Sequence, residues 1–295
     1  MSNSFPSRIV RGALTAADVD YALTVLDAAE RADGVEALSE QHRLAVRNGG
    51  ALHIVTEHGY GNVLDARDGE APMAEAVVHP DRRGAGEGRA LVGAVLHAAA
   101  ELGDRPQIWA HGDLPAAQRV ADVLGLERHR ELLQLRRPLS EPLPALPQRD
   151  DLVVRTYRPG DDDEILRVNN AAFDWHPEQG GWTQHDVDER TGAAWFDPEG
   201  VFLAFDAADP DTLLGFHWTK VDKPDLGEVY IVGVDPTAQG RGLGKYLTLA
   251  GLHYLAERGL GGVELYVEGD NTSALHTYDG LGFTRYRADI TYRTA

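Results

Sequence analysis

In the C-terminal half of the chain, polar and apolar positions change period in a readable order. From Leu152, LVVRTYR alternates with the period of two that marks a strand, and DDDEILRVNNAAF, from Asp161, opens on acids that favour a helix N-terminus. GVFLAFD (200–206) and LLGFHWTKV (213–221) predict paired strands, and GEVYIVGV (227–234) a buried one. Residues Lys245 to Arg258 carry an apolar face at helical spacing. GVELYVE (262–268) predicts a strand, NTSALHTYDGLG (271–282) a short helix closed by a glycine cap, and FTRYRADITYR (283–293) a last strand. Strands interleaved with helices, with hairpins among them, predict an α/β fold of the α+β kind on a sheet of mixed direction.

Part of this series occurs twice. VVHPDRRGAGEGRALVGAVLHAAAELG, from Val77, lies against VGVDPTAQGRGLGKYLTLAGLHYLAERG, from Val232, with Val78, Pro80, Gly86 and Gly88 matching Val234, Pro236, Gly242 and Gly244. Downstream, GDLPAAQRVADVLGLERHR lies against GDNTSALHTYDGLGFTRYR with one more residue of offset. The proline-rich RPLSEPLPALPQ (137–148) breaks both helix and strand and reads as a linker. The expected division is a first domain at 1–137, a linker at 138–150 and a second domain at 151–295.

Composition narrows the functions open to such a pair. The 295 residues suffice for two domains. A formal net charge of −19 argues against a nucleic-acid partner. Absence of cysteine excludes disulfides and thiolate-bound metals, and His79, His97, His111 and His276 do not fall at metal-ligand spacing. No metal is expected. The chain has neither a cationic, apolar leader nor a run long enough to span a bilayer, so a cytoplasmic protein without a membrane partner is expected.

Between GEVYIVGV and its helix, the second copy reads Gln239-x-x-Gly242-x-Gly244, and the first reads Arg83-x-x-Gly86-x-Gly88. Glycines there let consecutive amides turn toward one anion at the positive end of a helix. A pyrophosphate meets that demand. The dinucleotide fingerprint and the Walker lysine pattern are both absent.

These residues, with NTSALHTYDGLGF some thirty positions on, resemble the GCN5-related N-acetyltransferases. The resemblance implies two tandem domains of that family, with acetyl-CoA as co-substrate. It implies that the splayed strand at Val232, Gly233 and Val234 holds the pantetheine arm. The pyrophosphate would lie on Gln239, Gly240, Arg241, Gly242, Leu243, Gly244 and Lys245. Asn271, Ser273, Ala274 and His276 would flank the coenzyme. In the first copy the corresponding positions are Ala76, Val77 and Val78, with Gly84, Ala85, Gly86, Glu87, Gly88 and Arg89.

VNNAAF, HPEQGGWT, AWFDPEG, LLGFHWTKV, LGEVYIVGVDP and LYVE, with the tandem layout, resemble one branch of that family, the mycothiol synthases of actinobacteria. Members acetylate the cysteinyl amine of a cysteine–glucosamine–inositol conjugate. The expected partner is thus a small-molecule amine, and the expected state a monomer, two fused copies standing in for a dimer. Amine acetylation needs a base for the ammonium proton and an acid for the departing thiolate. Glu228, just before the splayed strand, is the candidate base, and Tyr278, on the short helix, the candidate acid. The resemblance adds Glu40, Glu178, Lys220 and Tyr266 to Glu228 as substrate contacts. Glu40 reads equally as a helix start, and Lys220 as an ordinary strand-end lysine.

In the first copy Pro72 stands at the place of Glu228 and Ala121 at that of Tyr278, so no acid–base pair is expected there. Glu87, in place of Leu243, sets a carboxylate beside the turn. Two other readings remain open: acetylation of another amine, such as an aminoglycoside or a protein N-terminus, and a non-catalytic acyl-CoA sensor.

Overall fold

The computed structural model describes residues 7–65, 71–174 and 179–294, which pack as two units, Met1–Leu132 with Arg287–Ala295, and Leu133–Tyr286. The first unit runs β1 (Ser7–Arg11), α1 (Ala16–Asp33), α2 (Glu40–Asn48), β2 (Leu52–Thr56), β3 (Gly59–Leu64), β4 (Met73–Val78), α3 (Glu87–Ala99), β5 (Gln107–Ala110), α4 (Pro115–Leu124) and the start of β6 (Leu126–Pro138). Strands β1 to β4 pair antiparallel in chain order, and β5 runs parallel to β4. Helix α1 starts where the Thr15 side chain accepts from the Asp18 N–H, and stops at Gly34 in the left-handed region. Its stripe of Ala22, Val25, Leu26 and Ala29 packs on Tyr60 and Val77 of the sheet.

A charged cluster lies under α2. The Glu75 carboxylate, 1% exposed, accepts the Ser39 N–H at 2.8 Å and lies 3.2 Å from His111 Nε2 and 3.8 Å from His42 Nε2. His111 Nδ1 is 3.0 Å from Asp289, whose other oxygen accepts the Gly112 N–H at 2.7 Å. Burial disfavours the His111 cation, but Glu75 and Asp289 outweigh it and push its pKa up to about 10. Burial likewise opposes the Glu75 carboxylate, and His111 and His42 outweigh it, so its pKa is lowered.

Asp289 explains a difference from the division read in the sequence. There the second copy runs to residue 295, whereas the segment from Arg287 packs with the first unit. Ile290 to Arg293 add to the free side of β5, and Asp289 engages His111. The linker also starts later than its prolines suggest. Arg137 and Pro138 end β6, and the buried Arg137 guanidinium donates to the carbonyls of Leu281 and Glu141.

The second unit continues with β7 (Leu152–Thr156), α5 (Asp162–Ala172), α6 (Gln184–Thr191), β8 (Val201–Asp206), β9 (Asp209–Lys223), β10 (Leu226–Val234), α7 (Leu243–Glu257), β11 (Gly262–Glu268), α8 (Thr272–Asp279) and β12 (Thr284–Thr294), the last as far as Tyr286. Strands β7 to β10 pair antiparallel in chain order, and β11 runs parallel to β10. Ile165, Val168, Val201, Leu203, Phe216, Trp218 and Ile231 form its core beside α5. Each unit thus has the mixed sheet that the pattern predicts. Among the described residues, no helix is long and apolar enough to cross a membrane.

Removing the His111 cation leaves Glu75 buried without its principal counter-charge. His111→Phe is expected to destabilise the protein by about 3–5 kcal/mol at pH 6 in urea unfolding, the usual cost of breaking a buried pair. The His111 pKa is raised on folding from 6.5 to about 10. Its contribution is therefore full below about pH 6.5 and is lost as pH rises through about 10. The gap between wild type and variant should narrow over that interval.

Candidate active site

Three ladder positions set the site. Strands β10 and β11 pair at Leu226–Gly262, Gly227–Val263 and Glu228–Glu264, and there the parallel ladder ends. On its other edge β10 stays paired with β9 as far as Val234, with a register shift between Val229 and Ile231. Such a bulge bends a strand and re-aims its side chains. Beyond Glu228, β10 has no further ladder partner on the side of β11.

The strand then enters the glycine turn. The Asp235 side chain accepts the Thr237 N–H, Gln239 is extended, and Gly240 (φ +78°) and Gly242 (φ +73°) take left-handed conformations before α7. Apart from the adjoining residues of the chain, no described atom lies within 4 Å of where a Cβ on either would stand. The left-handed turn makes glycine necessary, and the space beside it is open at the positive end of a helix, which fits a pyrophosphate. The first unit repeats this geometry closely. Its β4–β5 ladder ends at Ala74–Ile108, and Gly84 (φ +82°) and Gly86 (φ +93°) precede α3. Even the cap residues agree, His79 at φ −52°, ψ 131° and Asp235 at φ −52°, ψ 130°.

Within the turn, the side chains have separate tasks. The Arg241 guanidinium faces Asp151 at 3.1 Å and Asp206 at 3.3 Å, so it is spent on carboxylates of its own unit. Leu243 is buried in a cluster with Leu152, Leu214 and Ala238. Lys245 is exposed, its Nζ beside Gly280 at the end of α8. Asn271 caps α8, its side chain accepting the Ala274 N–H at 3.1 Å. Ser273 and His276 lie on the exposed side of α8 and Ala274 is half-buried. Tyr278, also half-buried, packs edge-on against Phe283, and burial pushes its pKa up to about 12. Its hydroxyl is protonated at neutral pH.

Glu228 stands where the ladder parts. Burial pushes its pKa up to about 7, Glu264 and Asp222 add to the rise, and Lys220 and Lys223 oppose it. Lys220 lies 3.9 Å from Glu228 and 2.8 Å from Asp222, with its Nζ 5.3 Å from the Trp195 ring centre and 5.6 Å from that of Tyr230. It is a boxed cation rather than a strand-end lysine reaching for solvent. Opposite, the buried Glu264 is met by Arg136 at 2.6 Å, Lys223 at 2.8 Å and Gln134 at 2.8 Å. Gln134 also donates to the Tyr266 hydroxyl at 3.1 Å, and that tyrosine is 42% exposed. Glu228 and Lys220 thus form one charged set with Asp222, and Tyr266 belongs to a second set around Glu264, whose charge acts on Glu228. Glu40 is exposed at the first turn of α2, the helix-start position its sequence allows, and Glu178 lies outside the described residues.

In the first unit, a cavity of about 480 Å³ opens at the corresponding place. Ala76, Val77 and Val78 of the parted strand line it, with Gly84, Gly86, Gly88 and Arg89 from the turn, while Ala85 and Glu87 are not part of its wall. Ala121 also lines it, where the repeat sets a tyrosine in the second unit.

Parted parallel strands leading to a glycine turn at a helix N-terminus define an acyl-coenzyme A-dependent N-acyltransferase. A model of the acetyltransferase (GNAT) family matches residues 168–283. Among solved structures, the chain is similar over its whole length to a GCN5-related N-acetyltransferase from Sphaerobacter thermophilus, with a TM-score of 0.73 and 24% identity over 96% of that chain. It is also similar to a tandem GNAT protein from the clavulanic acid biosynthesis pathway, with a TM-score of 0.69 and 18% identity over 98% of both chains. In sequence it is 56% identical to a mycothiol acetyltransferase from Gordonia bronchialis, over 97% of this chain and 95% of the relative. It is 55% identical to one from Nocardia farcinica, over 92% and 93%. The chain belongs to the mycothiol acetyltransferase family.

Gly242→Val places a β-branched side chain in a left-handed conformation, at a cost of about 1–2 kcal/mol, and into the space an anion would use. Acetyl-CoA affinity is expected to fall roughly tenfold or more in calorimetry, about 1.4 kcal/mol per decade, with the circular dichroism unchanged. Unaltered affinity would remove the turn from the coenzyme site.

Proposed function

We propose that the second unit transfers the acetyl group of acetyl-CoA to the cysteinyl amine of a cysteine–glucosamine–inositol conjugate, forming mycothiol. The observation that carries the chemistry is Glu228, a carboxylate of pKa about 7 at the point where β10 leaves β11. An α-amino group titrates near 8, so the two pKa values differ by only about a unit. Proton transfer to Glu228, directly or through a water, is therefore close to balanced.

Acetyl-CoA supplies the acetyl group as an activated thioester. Backbone groups of Val232, Gly233 and Val234 hold its arm, and an N–H among them polarises the thioester carbonyl. The amides from Gln239 to Lys245 receive the pyrophosphate, and α8 from Asn271 to His276 flanks it. Glu228 takes the ammonium proton so that the amine can attack. Tyr278 gives its hydroxyl proton to the departing thiolate, a role supported by a pKa that keeps it protonated. Lys220, 3.9 Å from Glu228, is an acceptor contact in this unit, together with Tyr266 and Glu178. Ala76 to Val78 and the turn from Gly84 to Arg89 hold a second coenzyme in the first unit's cavity without turning it over. The enzyme acts in the cytoplasm, as a monomer, on a small-molecule amine.

Turnover should rise with pH through about 7 as Glu228 ionises. Glu228→Gln is expected to abolish that limb and lower turnover by roughly 10²-fold to 10⁴-fold. Tyr278→Phe should slow the reaction by a similar factor across neutral pH without moving the limb, because wild-type Tyr278 stays protonated up to about 12. The double variant should transfer no acetyl group from coenzyme held in the first unit. Near wild-type turnover of both single variants on the cysteinyl-glucosaminyl-inositol acceptor would overturn the mechanism. Preference for another acceptor in a panel of amines would overturn the substrate.

A further inference from the structure

Lys220 and Asp222 stand two residues apart on β9, and Glu228 faces Lys220 across the β9–β10 ladder. The Lys220 ammonium is thus offered two carboxylates. It lies at hydrogen-bond distance, 2.8 Å, from Asp222 and at 3.9 Å from Glu228. The rings of Trp195 and Tyr230 flank it, and Tyr230 is itself fixed, its hydroxyl accepting from Arg190 Nε at 3.0 Å.

We propose that Asp222 is a positioning residue for acetyl transfer: it holds the Lys220 ammonium off the Glu228 carboxylate and so leaves that carboxylate able to take the acceptor's proton. The inference rests on Glu228 being the base. A lysine bonded directly to Glu228 would give it a charge-assisted donor and stabilise its ionised form, making it a weaker base.

The other charged groups around Glu228 do not replace this effect. Lys223 of β9 is bonded to Glu264 of β11, and Glu264 is further met by Arg136 and Gln134 of β6, so Lys223 is engaged by a carboxylate other than Glu228. Tyr230, from β10 itself, offers only its ring and a hydroxyl. Asp222 is the carboxylate that competes with Glu228 for Lys220. Burial works against the Lys220 cation, and the hydrogen bond to Asp222 with the charges of Glu228 and Asp222 more than offsets it, which agrees with a shared cation biased toward Asp222.

The test is Asp222→Asn in the full-length protein. Asparagine keeps the shape and removes the charge. The acid limb of kcat/KM is expected to move to lower pH by about one unit, and kcat on the plateau to fall roughly threefold to tenfold as the base weakens. Asp222→Ala, which also removes the tether, should shift the limb further, and Asp222→Glu should return it toward wild type. A carbon-13 NMR titration of the Glu228 carboxyl, assigned by its loss in Glu228→Gln, reads the same shift without turnover. An unmoved Glu228 titration in Asp222→Asn overturns the proposal. A titration that moves while the rate profile stays put supports the hold on Lys220 and overturns Glu228 as the base.

Discussion

The parting of two parallel strands governs the second unit. A buried strand must satisfy its N–H and C=O groups, and from Val229 to Val234 strand β10 has a strand neighbour on one edge only. The bulge after Val229 and the glycine turn that follows are consequences of opening that edge. So is the placement of Glu228: it is the last residue of β10 still paired to β11, hence rigidly held and at the mouth of the gap.

The same parting occurs in the first unit, and the comparison shows how environment decides what a carboxylate can do. Glu75 follows the last β4–β5 pair as closely as Glu228 marks the last β10–β11 pair. Glu75 lies against a charged His111 and accepts a backbone N–H, so its pKa is lowered. Glu228 has burial and a lysine bonded elsewhere, so its pKa is raised to about 7. One is poised to keep its charge, the other to exchange a proton near neutrality. The β3–β4 register also runs without a shift, so the first unit opens its edge without the bulge that re-aims side chains in the second.

The acidic surplus of the chain takes on meaning at this level. Lys220, Lys223, Arg136 and Arg241 are each set between or beside carboxylates within their own unit. The local cations beside Glu228 are thus already partnered within their own unit.

The sequence by itself determined what depends on neighbouring residues. The repeat, the glycine turns, the helix starts and the position of Glu228 near the start of a buried strand are legible because left-handed turns and apolar periods are local properties. Tertiary structure alone decided what depends on register and return of the chain. Asp222 and Tyr230 sit two residues from Lys220 and Glu228 on the same strands, but Glu264, Arg136, Gln134 and Trp195 come from distant segments, and no local pattern brings those four to this place. Arg241, read as a coenzyme contact, spends its guanidinium on Asp151 and Asp206 because the start of β7 and the end of β8 lie beside the turn. The segment from Arg287 joins the first unit because Asp289 reaches His111 and the following residues pair with β5. Charge pairing in a buried place is a property of three-dimensional neighbours, and a chain's order does not state who those neighbours are.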